Sequence, residues 1–263
     1  MVECDHGVSH VSGRPINITP YLLIFTGYNL FRLYYPKKQK IPAMPISEEP
    51  VKTISYDFPM EGEFFILDTE TNALPRDNND GTTWWPLPMQ IAWILTDRYQ
   101  NSIEGRPYTL RQRKIRTINK QALKKHGITK KIMMQEGRDP VEVYHKLLDA
   151  LKRTKYVVSH GADFHINVIK RDMSRNGLGE AIDVISCKPV VCTQIAARDF
   201  CAIPSDEYNA LMSDEYKGPS KGKLYEQCFG KRPETGKKGA YGHTEIIFKC
   251  FFELMRLGVI KVC

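Results

Sequence analysis

The stretch from Phe64 to Leu74 reads FFILDTETNAL. Phe64–Leu67 is a short uninterrupted apolar run, the pattern of a buried strand. Asp68, Thr69 and Glu70 follow at its end. A strand turns alternate residues to one face, so the spacing predicts that Asp68 and Glu70 project together from the open end of the strand. Two carboxylates so placed repel, and a hard divalent cation such as magnesium is their natural neutraliser.

Outward from this point, Ala73–Pro88 is rich in Pro, Asn, Asp and Gly and reads as a loop. Met89–Leu95 is a second apolar run, Asp97–Gly105 has turn chemistry, and Leu110–Ile118 alternates as a third strand. Three strands in succession predict an antiparallel meander. The period then changes. Helices are predicted at Lys120–His126 and Val141–Leu151, a strand at Tyr156–Ser159 and a helix onward to Met173. A fifth strand is expected at Lys188–Cys192, with helices at Thr193–Phe200, Lys223–Phe229 and His243–Leu257. The succession predicts one α/β domain over residues 61–263, built on a five-stranded mixed sheet flanked by helices.

Residues 1–60 read as an N-terminal extension. An aromatic segment, Tyr21 to Tyr35, is followed by a linker-like run from Pro36 to Pro50 that holds four prolines. The aromatic face is a candidate surface for a protein partner. Gly27, Asn29 and Arg32 interrupt it, and it falls short of the roughly 20 apolar residues that a membrane span requires. No membrane association is expected. Seven cysteines occur at irregular spacing without a CxxC pair. With no signal peptide legible, this predicts reduced thiols and a cytoplasmic or nuclear setting.

The chain of 263 residues carries 38 Lys and Arg against 30 Asp and Glu, a formal net charge of +8. That balance suits an anionic partner such as nucleic acid. Residues Arg111 to Lys131 contain nine basic residues and no acid, a candidate phosphate-contacting patch. A second basic stretch includes Lys217, Lys221, Lys223, Lys231, Arg232, Lys237 and Lys238, and reads as a loop at the mouth of the site. Trp84 and Trp85 are placed either to stack on bases or to pack against the sheet edge.

The Asp68-Thr69-Glu70 motif resembles the first motif of the DEDD (DnaQ-like) 3′→5′ exonuclease family, which has the RNase H-like fold. Five further features match in the same order. They are Pro88-Met89-Gln90-Ile91-Ala92, the signature His126-Gly127-Ile128-Thr129, the strand and histidine of Val157-Val158-Ser159-His160, the helix Lys223 to Gly230 (KLYEQCFG), and Tyr241-Gly242-His243. The resemblance covers roughly residues 61–260. It implies hydrolysis of phosphodiester bonds from the 3′ end of a single strand of DNA or RNA, with two metal ions, magnesium or manganese. It makes Asp68 and Glu70 metal ligands and His243 the general base. It sets Thr71, Asn72, Ala73, Leu74 and His160 against the substrate.

Two positions depart from the pattern. His165 stands where the second motif has its ligating aspartate, and Phe248 where the third has its own. The leading expectation is therefore a nucleic-acid-associated, exonuclease-like protein in which two-metal hydrolysis is lost or very weak, since such ions need several oxygen ligands each. One alternative is an active metal-dependent exonuclease using Asp68, Glu70 and His243 with His165 or Glu245; imidazole there would favour zinc or manganese. Another is a non-catalytic structural or interaction protein that keeps only the fold.

Overall fold

A computed structural model describes residues 62–179, 181–205, 215–234 and 239–262. The predicted N-terminal extension, its aromatic segment, and Lys237 and Lys238 lie outside the described residues. The centre of the fold is β1 (Phe64–Thr71), every residue of which is buried. On one side β4 (Pro88–Thr96) pairs antiparallel to it, and β5 (Ser102–Thr109) pairs antiparallel to β4 at the edge. On the other side β6 (Tyr156–Ser159) and β7 (Val190–Cys192) run parallel to β1, giving the order β5-β4-β1-β6-β7. The sequence between β1 and β4, read as a loop, carries a small ribbon, β2 (Arg76–Asp77) against β3 (Thr83–Trp84). Trp84 lies under the Arg76 guanidinium at 4.8 Å.

Alternation along the strands sorts the core into two layers. Phe65 and Leu67 of β1, with Ile91, Trp93 and Leu95 of β4, pack against α3 (Pro140–Lys152) and α4 (Ala162–Arg175). Phe64, Ile66 and Ile94 face the opposite way, onto α8 (Lys221–Phe229) and α9 (Ala240–Arg256) through Leu224, Ile247 and Phe251. Asp68 and Glu70 continue the row of Phe64 and Ile66, so the strand's parity aims both carboxylates at the α9 side.

One predicted strand is corrected. The third strand is Ser102–Thr109, not Leu110–Ile118. Only Leu110 of the predicted segment makes a bridge, to Arg138. The observed strand lies at the sheet edge and is mostly exposed along its length, so no hydrophobic alternation marks it, and an edge also tolerates its Pro107. The His126–Thr129 signature joins α1 (Lys120–His126), at its predicted place, to a second helix, α2 (Lys130–Glu136), that the sequence did not mark. Gly127 takes the left-handed C-cap and Thr129 caps α2. Three short helices complete the described chain: α5 (Ile182–Ser186), α6 (Thr193–Ala196) and α7 (Arg198–Cys201).

Candidate functional site

The N-terminus of α9 docks directly beside the two carboxylates. In the β1–β4 register Asp68 is opposite Ala92 and Glu70 opposite Gln90. Gln90 Oε1 accepts the Ala240 N–H at 2.8 Å, and the Thr244 hydroxyl donates to the Ala240 carbonyl at 2.8 Å and lies 3.4 Å from the Ala92 carbonyl. Gly239 precedes the helix with φ +79°, and a Cβ there would lie 2.4 Å from Gln90 Oε1. These contacts place His243, on the first turn of α9, over the end of β1. Its Nδ1 is 3.2 Å from Asp68 Oδ2 and 3.0 Å from Glu70 Oε1. One ligand atom from each of Asp68, Glu70 and His243 lies within 4.8 Å of the others, so the structure brings together the three residues predicted as catalytic.

Both carboxylates are buried. Burial pushes the Asp68 carboxyl upward, but the Lys221 ammonium, then His165 and His243, overcome it and hold the group well below the usual carboxylate range. Glu70 is lowered too: burial opposes, while His243, 3.0 Å from its Oε1, and the charge of Lys125, 3.8 Å away, prevail. His243 is raised, because Asp68 and Glu70 outweigh the cost of burying its charge. Asp68 Oδ1 and Glu70 Oε1 have no partner in hydrogen-bond alignment; their neighbours hold them by charge.

His165 sits on α4, which opens after Gly161 in the left-handed region (φ 77°). Its Nδ1 accepts the Thr69 N–H at 3.1 Å and lies 2.8 Å from the Thr69 hydroxyl. The ring proton is thereby placed on Nε2, 3.2 Å from Asp68 Oδ1. Burial lowers the imidazole to about 4, so near neutrality it is uncharged, with its Nε2–H beside Asp68 Oδ1. Its one lone pair is spent on Thr69, and His165 does not belong to the grouped ligand set. Glu245 does not belong to it either. Phe248 packs with the second core layer, its ring 5.0 Å from that of Phe252.

The predicted substrate-contacting residues are divided. Thr71 and Asn72 are buried, and their polar atoms are used internally: Thr71 Oγ1 donates to the Ala73 carbonyl at 2.6 Å, Asn72 Oδ1 accepts the Leu87 N–H at 2.8 Å, and Asn72 Nδ2 donates to the Thr117 carbonyl at 3.3 Å. Leu74 is 73% exposed and forms an apolar rim beside the motif. His160 is buried and lowered to about 4, chiefly by that burial. Its Nε2 donates to the Pro219 carbonyl at 2.8 Å, and its Nδ1 is 3.0 Å from the Thr193 hydroxyl.

The residue that sequence reasoning placed wrongly is Lys221. Within the second basic stretch, read as a loop, Lys221 belongs to the helix predicted to begin at Lys223. Lys221 reaches inward, with Nζ 2.6 Å from Asp68 Oδ1. No local pattern distinguishes it from Lys223, which pairs outward with Glu226 at 2.8 Å. In the first basic patch Arg113, Lys114, Arg116, Lys120, Lys124, Lys125, Lys130 and Lys131 are all exposed.

A central carboxylate pair under a helix-borne histidine, at the open end of a mixed sheet, defines a nuclease-like α/β domain. The exonuclease family model RNase_T matches residues 65–212, more than half of the chain, and the chain belongs to that family. Among solved structures, E. coli Exonuclease I in complex with a dA16 oligonucleotide has the same fold, with TM-score 0.54 and 14% identity over 74% of this chain and 41% of that one. Exonuclease I from Methylocaldum szegediense gives TM-score 0.55 and 14% identity, over 74% and 40%. This chain therefore spans about two fifths of the length of the Exonuclease I chains it matches. No curated protein matches it in sequence. Among the described residues, no helix is long and apolar enough to cross a membrane.

Proposed function

We propose that this protein binds the 3′ end of a single nucleic-acid strand through an exonuclease fold whose paired-metal hydrolysis is lost or very weak. The observation that carries the reading is the fate of the four positions that the family resemblance assigns to acids. Asp68 and Glu70 bring carboxylates into the pocket; His165 is a neutral imidazole beside Asp68, and Phe248 is packed with the core. Two divalent ions need several oxygen ligands each, and this donor set does not fit a pair. The chain's own residues keep the pocket ionised and ordered: His165 orients Asp68, His243 bridges the two acids, and His160 holds the backbone ahead of Lys221.

Binding is the retained function. The exposed basic residues between Arg113 and Lys131 provide contacts for phosphates, and Leu74 provides an apolar platform for a terminal base. The Exonuclease I structure solved with dA16 supports a single strand as the partner class.

A second reading, hydrolysis with one ion, is favoured by one observation: Asp68, Glu70 and His243 offer three ligand atoms within 4.8 Å. A 3′-labelled oligonucleotide, incubated with magnesium, manganese or zinc, separates the two. Salt-sensitive binding with at most trace label release is expected. Rapid release abolished by Asp68→Ala establishes the second reading instead, and absence of binding at low salt leaves a structural or interaction role.

A further inference from the structure

Deepening the proposed loss of paired-metal hydrolysis, on which it rests, we propose that Lys221 is a tethered ammonium that takes the charge-balancing place of a divalent ion in the Asp68–Glu70 pocket. Three observations converge on it. The first is geometric. Nζ lies 2.6 Å from Asp68 Oδ1, an oxygen that a metal would need, and the lysine side chain is 16% exposed against 0% for the aspartate. A surface pair has no such burial; Lys223 and Glu226, two residues on, are 66% and 28% exposed.

The second is that the lysine's position is built rather than incidental. Lys221 is the first residue of α8, and its N-cap Ser220 accepts the Lys223 N–H at 3.3 Å. The carbonyl of Pro219, immediately before the cap, accepts from His160 Nε2 at 2.8 Å and from Gln194 Nε2 at 3.3 Å. The adjoining Gly218 lies so close to Gln194 that a Cβ there would be 2.7 Å from its Cγ. The backbone that launches the lysine is thus clamped by side chains that follow β6 and β7.

The third is charge. Asp68 and Glu70 contribute two negative charges, and the Lys221 ammonium stands against the first while Lys125 lies 3.8 Å from the second at the rim. Buried charges persist when paired, and here the partners are covalently part of the chain. An ammonium at this distance repels an incoming dication, so its removal raises divalent-ion affinity on the order of tenfold or more even at the dielectric of water.

The test is manganese binding by the full chain, followed by the paramagnetic resonance of free Mn²⁺, which reads occupancy without any activity. Wild type is expected to take up no Mn²⁺ in the low millimolar range, and its thermal unfolding is expected to be the same with Mn²⁺ or with chelator. Lys221→Met is expected to bind one Mn²⁺, to be stabilised by it, and to lose that binding when Asp68→Asn is added; Lys221→Arg is expected to behave as wild type. Wild type that binds Mn²⁺ as tightly as Lys221→Met overturns the assignment. So does Mn²⁺ binding that survives Asp68→Asn, or a Lys221→Met protein that unfolds and is not restored by Mn²⁺. If wild type takes up Mn²⁺ yet releases no 3′ label, the ammonium assignment falls while the reading of lost hydrolysis stands; rapid label release removes that reading by itself.

Discussion

Acidification from pH 6.5 to pH 4 should destabilise this protein through two buried histidines. His165 and His160 are both held near 4 by burial, against an ordinary value of 6.5. Between those values the unfolded chain binds protons that the folded chain refuses, so stability rises with pH through the window and is lost as pH falls through it. A gap of roughly 2.5 decades at about 1.4 kcal/mol each is worth about 3 kcal/mol per histidine, an upper figure for each. His165 is faced by Asp68 and Glu70, which favour its charge, and by Lys221 and Lys125, which oppose it. Asp172, raised by burial, works in the opposite direction just above its ordinary 3.8. His243, being raised, contributes stability fully present below 6.5 and lost above it, so it adds no slope well inside the window. Asp68 and Glu70 are lowered, and their contributions fall away below the ordinary 3.8 and 4.5. The expected loss is about 3 to 6 kcal/mol, comparable with the whole stability of many domains. Urea unfolding midpoints at half-unit pH steps measure it. His165→Gln keeps an acceptor for Thr69 and an N–H group beside Asp68 without titrating, and is expected to remove about half of the slope. A wild-type midpoint that stays flat from pH 6.5 to 4.5, or a full slope in His165→Gln, refutes the reasoning.

Two further outcomes follow from other parts of the molecule. Asp172 is buried and accepts hydrogen bonds from the Tyr144 hydroxyl at 2.6 Å and Gln112 Nε2 at 2.7 Å; Tyr144→Phe is expected to cost about 1–3 kcal/mol in urea unfolding by leaving the carboxyl short of a donor, and no change would show that Gln112 alone suffices. Replacing Arg113, Arg116, Lys120 and Lys124 together by alanine is expected to weaken binding to a fluorescent single strand and to flatten its logarithmic salt dependence by about 0.7 for each phosphate no longer neutralised; an unchanged slope places the nucleic-acid surface elsewhere.

Much of the architecture was legible because burial writes itself into residue order. An uninterrupted apolar run ending in Asp68-Thr69-Glu70 announces the central strand, and strand parity alone brings the two carboxylates to one face. His243 was legible through its motif. The edge strand Ser102–Thr109 was not, because a strand mostly open to solvent has no apolar period to display. The replacements at His165 and Phe248 could be read as missing acids, but what stands in their place could not. That Phe248 joins the aromatic core beside Phe252 and that His165 turns its one proton toward Asp68 depend on helix placement and on Thr69.

The local order of residues therefore determined the sheet's central strand, the pairing of two acids and the family to which the chain belongs, since each follows from periodicity or contiguous motif. Tertiary structure alone decided how those acids are neutralised. Lys221 is 153 positions from Asp68 and looks like any other lysine of a basic stretch until Pro219, clamped by His160 and Gln194, aims it inward. Electrostatic pairing depends on distance through space, and chain order carries no record of it.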